Sequence, residues 1–254
     1  MSTPALSFFP IPGIPQIDPG ADLAAVLIER ITAAGLTLET GDVVTIAQKI
    51  VSKAEDRFVD LNDIEPSAQA SSLAYAREKD PRLAELILRE STRIVRDTPL
   101  VLIVEHRLGI VLANAGIDRS NVPGDDDTVL LLPEDPDASA AALRGRLEAH
   151  FGLELGIIIT DSVGRPWRVG TTGVAIGCAG VEAMNDMRGE RDTFGRVLQV
   201  AEVATADCIA GAAGLIMGEG SEALPAVICR GLGAGASDQT ARNILRPDHE
   251  NLFR

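Results

Sequence analysis

The chain has 254 residues, of which 46% are hydrophobic and 24% are charged, a composition typical of a folded globular protein rather than a disordered or collagen-like one. Its formal net charge of −14 argues against nucleic acid and anionic membranes as partners, because both require a basic protein surface. No apolar run approaches the roughly 18 residues that span a bilayer, and the N-terminus lacks the features of a signal peptide, so we expect a cytoplasmic protein.

Three segments in the first 100 residues have a clear predicted structure. Apolar side chains recur at helical spacing over 21–34, and Gly35 stands where a helix C-cap would fall. The segment VVTIA at 43–47 has the composition of a strand. A second helix is predicted over 80–97, because Asp80 is a natural N-cap, a proline follows it, and apolar side chains keep a helical spacing almost to the end.

The order of elements in the rest of the chain indicates the fold class. The predicted elements are a hairpin over 99–113 with its turn near 107–109, a loop over 114–127, a strand in TVLLLP, a helix starting after DPDAS, a strand from Leu155 to Thr160, a helix from about Glu202 to Met217 and a late buried strand in PAVICRGL. Strands and helices do not alternate regularly, so the sequence predicts an α+β fold rather than a doubly wound sheet.

Several familiar motifs are absent from the sequence. No G-x-x-x-x-G-K-[ST] occurs, which excludes a P-loop, and GLGAGA at 231–236 is followed by only 18 residues, too few for a dinucleotide-binding βαβ unit. Ser162 does not stand in G-x-S-x-G, and no nucleophile neighbours any of the three histidines. Cys178, Cys208 and Cys229 are far apart and odd in number, so we predict buried free thiols.

Oxygen-bearing side chains follow two apolar strands and suggest a metal site. Asp118 lies in the loop NAGIDRSN, where glycine and asparagine permit close approach of a ligand, and Asp161 and Ser162 follow the strand IIIT. Carboxylate and hydroxyl oxygens suit Mg²⁺ or Mn²⁺. The alternative is that the Asp-Ser pair only forms a turn or helix cap.

Two basic motifs could bind an anion against the overall negative charge. Lys49 and Lys53 in QKIVSK can meet phosphates as mobile point charges, although two solvated lysines would show the same pattern. Arg165 and Arg168 in GRPWR are held by a proline and anchored by Trp167, which suits an anion clamp, although the tryptophan could equally be a packing plug.

A series of segments, taken together, resembles one known family. The segments are GDVVTIAQKIVSKAEDR, DPRLAELILRES, GIVLANAGIDRSN, LLPEDPDASA, IIITDSVGRPWRVGTTGVAIGCAG, DMRGERDTFGR and MGEG, in the expected order over about residues 10–232. The chain resembles the coenzyme F420-0:L-glutamate ligase family, also called F420-0 gamma-glutamyl ligases. The resemblance implies two interlocked α+β subdomains that form an intertwined homodimer, and a single ligase unit over 1–254 without the C-terminal flavin-binding domain that some relatives carry.

The resemblance also implies an activity and a set of site residues. It implies a GTP-dependent enzyme that activates a carboxylate of coenzyme F420-0 as an acyl phosphate and couples it to L-glutamate, with possible further gamma-linked glutamates. The implied cofactors are Mg²⁺ or Mn²⁺, with K⁺ as a further candidate. By family pattern, metal positions are Asp118, Asp161, Ser162 and Glu219, and nucleotide positions are Ile14, Pro15, Gln16, Ile17, Gln48, Lys49, Lys53, Asn121 and Ser221. Catalytic roles fall to Lys53, which would stabilise phosphoryl charge, and Arg165.

Two departures from the family pattern keep other functions open. The family has an aspartate where this chain has Gly173, and a glutamate where it has Cys208. A diverged ligase acting on a different carboxylate would fit these changes. A non-catalytic homologue that binds a nucleotide or cofactor is the other alternative, although such a protein has no need of Asp118, Asp161 and Glu219 together.

Overall fold

A computed structural model describes residues 5–75, 79–99 and 101–251. The α-helices in this part of the chain are Leu23–Ala33 (α1), Gln48–Ala54 (α2), Ala68–Tyr75 (α3), Pro81–Arg89 (α4), Pro136–Phe151 (α5) and Thr205–Met217 (α6), and short 3-10 helices cover Leu61–Asp63, Asn114–Gly116, Ala241–Ile244 and Asp248–Glu250. The strands are Ser7–Pro10 (β1), Val43–Ala47 (β2), Phe58–Asp60 (β3), Ser91–Asp97 (β4), Leu102–His106 (β5), Val111–Ala113 (β6), Thr128–Leu130 (β7), Gly156–Arg165 (β8), Arg168–Ala179 (β9), Asn185–Asp186 (β10), Glu202–Val203 (β11) and Ala226–Arg230 (β12). This mixture confirms the α+β prediction.

A five-stranded sheet in the order β1-β12-β2-β8-β9 forms the centre of the molecule. Strands β2 and β8 run parallel, and all other neighbours are antiparallel. Both faces of the sheet are covered by helices, which explains the apolar runs in these strands. Ile157 and Ile159 belong to the apolar cluster that contains α1 and α5 residues, whereas Ile158 belongs to the cluster of Ile209 and Ala210 on α6.

Aspartate caps fix the starts of three helices, as the sequence suggests. Asp22, Asp80 and Asp135 each accept a hydrogen bond from a backbone N–H in the first turn of α1, α4 and α5. The helix predicted after DPDAS starts earlier, at Pro136, because proline is tolerated in the first turn. Gly35 follows α1 with a φ of +65° and ends that helix where predicted.

Helices α5 and α6 approach β9 closely at two glycines. A Cβ atom at Gly177 would lie 2.4 Å from the backbone of Pro136 at the start of α5. A Cβ atom at Gly173 would lie 2.5 Å from the carbonyl oxygen of Ala210 on α6. The glycine-rich sequence of β9 therefore allows one helix to pack on each face of the strand.

The chain between α2 and α5 builds smaller sheets with their own apolar clusters. Strand β3 pairs with β7, and β4, β5 and β6 form an antiparallel sheet. One of these clusters contains Leu61, Leu86 and Val129. Asp118 exchanges two backbone hydrogen bonds of 2.9 Å with Leu130, which aligns the loop after β6 with β7. The hairpin predicted over 99–113 is confirmed as β5 and β6, apart from residue 100, which lies outside the described residues.

Several predicted elements have the wrong extent. The helix predicted over 80–97 ends at Arg89, and the following residues form β4, because Thr92, Ile94 and Val95 are β-branched and the segment pairs with β5. The strand predicted from Leu155 to Thr160 continues to Arg165, because β9 pairs along its whole length. The helix predicted from about Glu202 starts at Thr205.

Two further findings concern the cysteines and membrane insertion. Cys178 and Cys229 are buried as predicted, but Cys208 is exposed on α6, so the prediction of a buried thiol there was wrong. Across the described ranges, the structure has no helix with the length and apolar character that crossing a membrane requires.

Candidate active site

A cleft of about 730 Å³ lies where the parallel pairing of β2 with β8 ends, at Ala47 and Thr160. Because these strands are parallel, the residues that follow Ala47 and Thr160 come together on the same side of the sheet. Helix α2, the loop after β6, the end of α6 and an N-terminal segment form the other walls. The predicted metal and nucleotide residues that line the cleft are Ile14, Pro15, Gln16, Ile17, Gln48, Lys49, Lys53, Asp118, Asn121, Asp161, Ser162, Glu219 and Ser221.

Asp118 is held by two side chains from the start of α2. The amide nitrogen Nε2 of Gln48 donates to its Oδ2 over 2.6 Å, and the ammonium of Lys49 lies 3.3 Å from its Oδ1. Burial nevertheless raises the pKa of Asp118 above its usual value, against the lowering influence of Lys49 and Gln48. The carboxylate is therefore fixed in place while its negative charge is only partly compensated.

Asp161 and Glu219 add two carboxylates to the same region of the cleft. Burial, together with the negative charges of Asp118 and Glu219, raises the pKa of Asp161 to about 7. Ser162 links the group, since its backbone N–H donates to Asp161 over 2.8 Å and its hydroxyl donates to Glu219 over 2.5 Å. A cation bound here would stabilise the ionised form of Asp161.

The acidic residues fit a metal ion that arrives with other ligands. Within the ranges that the structure describes, no three His, Cys, Asp or Glu side chains lie close enough together to hold a metal ion. Mg²⁺ and Mn²⁺ commonly take only one or two carboxylates from a protein and keep water and phosphate oxygens as their other ligands. The crowded carboxylates of Asp118 and Asp161 suit such an open site.

Lys49 and Lys53 face the cleft from α2 and contact the loop that carries Asp118. Lys49 donates to the Ser120 hydroxyl over 3.1 Å, and Lys53 donates to the backbone carbonyl of Asn121 over 2.7 Å. Asn121 has a φ of +57°, a conformation that asparagine adopts more readily than most residues. Burial and the neighbouring Lys49 lower the pKa of Lys53. This buried ammonium has donor capacity for an anionic ligand.

The arginine motif lies away from the cleft. Arg165 and Arg168 stand at the exposed tip of the β8–β9 hairpin, and neither is among the residues that line the cleft. Arg165 donates to the carbonyl of Val169 over 3.1 Å. Trp167 is 81% exposed, so it is not a packing plug within the described part of the chain. The single chain does not bring the predicted anion clamp to the other site residues.

The two departures from the family pattern have different surroundings. Gly173 lines the cleft, where its lack of a side chain lets α6 pack against β9. Cys208 is exposed on α6 and is not a lining residue. Two polar residues of the region were not predicted: Ser120, whose hydroxyl accepts from Lys49, and Ser52, which contacts Gln48. Polar residues four apart on α2 are the pattern that points to Ser52.

Basic and acidic side chains lie side by side in a cleft that is large enough for a nucleotide-sized ligand. The lysines can neutralise phosphate oxygens, and the carboxylates can hold a divalent cation that binds the same phosphates. Such an arrangement is suited to phosphoryl transfer, in which positioning and charge neutralisation provide most of the rate enhancement.

Comparison with known proteins identifies the family. A family model described as F420-0:Gamma-glutamyl ligase matches residues 13–231. The Coenzyme F420:L-glutamate ligase of Methanopyrus kandleri is 46% identical, over 99% of this chain and 98% of its own length. Proteins of the same name from Methanothermobacter thermautotrophicus (43% identical, 98% and 99% covered) and Archaeoglobus fulgidus (40% identical, 97% and 95% covered) are also similar. The chain therefore belongs to the F420-0:gamma-glutamyl ligase family.

Proposed function

We propose that this chain, a ligase by family, couples L-glutamate to a carboxylate of coenzyme F420-0 at the expense of GTP. One observation carries the proposal: Asp118, Asp161, Lys49 and Lys53 share one cleft, in a chain whose relatives are named for ligation of glutamate to coenzyme F420. The finer parts of the proposal are the use of GTP, the formation of GDP and an acyl phosphate intermediate.

The acyl phosphate follows from the chemistry of amide formation. A carboxylate and an amine do not condense unaided in water, because hydroxide is a poor leaving group. In the proposed first step, a carboxylate oxygen of F420-0 attacks the γ-phosphorus of GTP and GDP leaves. In the second step the glutamate amine attacks the acyl carbon, the bond from that carbon to the phosphate oxygen breaks, and the amine loses a proton. Positioning of the two reactants provides much of the rate.

The side chains of the cleft take separate roles in this scheme. Asp118, Asp161, Glu219 and the Ser162 hydroxyl would be the protein ligands of Mg²⁺ or Mn²⁺, with no more than two of the carboxylates on any one ion as the side chains stand, and the metal would supply neutralisation of phosphate charge. Lys53 would stabilise charge on the transferring phosphoryl group from its buried position. The further residues assigned to the nucleotide are Ile14, Pro15, Gln16, Ile17, Gln48, Lys49, Asn121 and Ser221, all of which line the cleft.

We also propose that the chain forms a homodimer. Trp167, Val169, Phe194, Val200 and Leu215 are each more than 80% exposed in the single chain. Large apolar side chains with this exposure mark surfaces that proteins usually cover. Arg165 lies close in sequence to Trp167 and Val169 in the β8–β9 hairpin. We propose that Arg165 reaches a catalytic site through association with a second subunit.

A direct assay tests the proposed reaction. Purified protein is incubated with GTP, Mg²⁺ or Mn²⁺, L-glutamate and F420-0, and mass spectrometry follows the gain of one or more glutamyl units together with GDP. Parallel reactions contain ATP in place of GTP, or no added metal with a chelator. Binding of GTP without product would overturn the proposal in favour of a non-catalytic homologue. Product formed only with a different acid in place of F420-0 would indicate a diverged ligase.

A further inference from the structure

A chain of two hydrogen bonds connects a residue behind the cleft to the Asp118 carboxylate. The Ser52 hydroxyl donates to Oε1 of Gln48 over 2.8 Å, and Nε2 of Gln48 donates to Oδ2 of Asp118 over 2.6 Å. Ser52 is fully buried and Gln48 is 1% exposed. Ser52 is not among the residues that line the cleft, so it acts on the site only through Gln48.

The Ser52 hydroxyl fixes which end of the Gln48 amide faces Asp118. An amide has a donor end and an acceptor end, and a carboxylate can accept a hydrogen bond only from the donor end. The helical spacing of four residues places the Ser52 hydroxyl against the opposite end, where it donates to the amide oxygen. Without that hydroxyl, the buried oxygen of Gln48 would lose its hydrogen-bond donor, which is unfavourable in an apolar environment.

The orientation of Asp118 depends on this amide. One carboxylate oxygen accepts from Gln48, and the other lies 3.3 Å from the Lys49 ammonium. These two contacts fix the plane of the carboxylate. Each oxygen keeps a further lone pair that can bind a cation. A free-standing carboxylate would have to be ordered when the metal binds, at a cost in conformational entropy.

We propose that Ser52 is a positioning residue that orients the Asp118 carboxylate, through the Gln48 amide, for a divalent cation bound with the nucleotide phosphates. This inference rests on the proposed function, because it assumes that a cation and a nucleotide share the cleft. Hydrogen bonds to the side chains that hold a metal typically change metal affinity or activity by roughly 10- to 100-fold when they are removed.

The test measures Mn²⁺ binding in the presence of GDP by electron paramagnetic resonance, which needs no turnover. We expect Ser52→Ala to raise the Mn²⁺ dissociation constant by roughly 10-fold. Ser52→Thr, which keeps a hydroxyl, should restore most of the affinity. Ser52→Cys keeps the volume but offers only a weak donor, so it should behave like Ser52→Ala and serves if the alanine variant does not fold. The side-chain amide resonances of Gln48 should shift in the alanine and cysteine variants.

Thr45 provides a matched control. Its hydroxyl is also fully buried, on β2, and has no hydrogen-bond partner among the described residues. Thr45→Val therefore removes a buried hydroxyl without touching Gln48, and Mn²⁺ affinity should stay unchanged. An equal loss of affinity in Thr45→Val and Ser52→Ala would overturn the inference, because it would indicate general loosening of the core.

Failure of the inference is distinguishable from failure of the proposed function. If the unmodified protein binds Mn²⁺ with GDP and Ser52→Ala binds it equally well, Ser52 has no positioning role and the proposed function stands. If the unmodified protein does not bind Mn²⁺ with GDP, the shared metal and nucleotide site is wrong, and the role of Ser52 falls with it.

Discussion

Replacement of Asp161 by asparagine should stabilise the metal-free protein at alkaline pH while it abolishes ligation. In the folded chain, burial and the charges of Asp118 and Glu219 raise the pKa of Asp161 from 3.8 to about 7. The unfolded chain releases this proton near the ordinary value. Between these two values the folded state binds more protons, so the free energy of unfolding must fall as pH rises toward 7.

The size of the effect follows from the difference between the two pKa values. Each unit of pKa difference corresponds to about 1.4 kcal/mol, which gives an upper limit of about 4 kcal/mol above pH 7. We expect about 2 kcal/mol, because the carboxylates of the cleft are coupled to one another and water reaches the open cleft. Asparagine resembles the protonated aspartic acid in shape and charge, so Asp161→Asn should be free of this penalty.

The assay compares urea unfolding of the unmodified protein and Asp161→Asn in a chelating buffer at about pH 5 and about pH 8. The variant should be more stable than the unmodified protein at both pH values, because the unfolded chain has already released most of this proton at about pH 5, and its advantage should be larger at about pH 8. The difference between the two proteins in free energy of unfolding at each pH cancels the contributions of other titrating groups. Addition of Mg²⁺ with GDP should then stabilise the unmodified protein but not the variant. A variant that is less stable than the unmodified protein at about pH 8 would refute the argument that burial and the neighbouring carboxylates disfavour the ionised form of Asp161.

Three more substitutions follow from the packing and charge of the same region. Gly173→Ala places a Cβ atom 2.5 Å from the carbonyl oxygen of Ala210, so it should lower the free energy of thermal unfolding by about 1–3 kcal/mol. The control is Gly164→Ala, whose Cβ atom meets nothing within 4 Å. Equal effects of the two substitutions would contradict the packing argument. Lys53→Met removes a buried ammonium, so the variant should be as stable as the unmodified protein or more stable. Calorimetry should show GTP binding weakened at least 10-fold. Unchanged GTP affinity would exclude a contact between Lys53 and the phosphates. Val169→Asp changes a side chain that is 96% exposed, and light scattering should report a monomer where the unmodified protein is a dimer; an unaltered mass would remove this hairpin from the proposed interface.

Local sequence was sufficient for the elements whose ends carry their own signals. Aspartate caps and the proline of α5 specify where helices begin, because the missing backbone partners of a first turn are supplied within a few residues. The helix predicted over 80–97 fails beyond Arg89 for the opposite reason. Ile94 lies in a strand because β4 pairs with β5, and the spacing of apolar residues along the chain carries no information about a partner strand.

Motif resemblance predicted the composition of the cleft but not its hydrogen bonds. Gln48 and Asp118 are 70 positions apart, and the folding of the loop after β6 onto α2 brings them to 2.6 Å. The position of Arg165 was missed because the strand continues past Asp161, which carries the arginine to the exposed end of the hairpin. Neither the contact between Gln48 and Asp118 nor the exposed position of Arg165 follows from spacing along the chain.

The contacts between α2 and the loop after β6 bear on how a chain with a net charge of −14 would accept the proposed nucleotide. Gln48, Lys49 and Lys53 all contact that loop, so the basic side chains and the Asp118 carboxylate are held as one unit. The lysines alone do not make the cleft attractive to phosphates, because three carboxylates oppose them. Burial and these negative charges together raise the pKa of Asp161. A divalent cation bound to these carboxylates would neutralise most of their negative charge. Nucleotide affinity should therefore depend on the metal far more steeply than on either lysine.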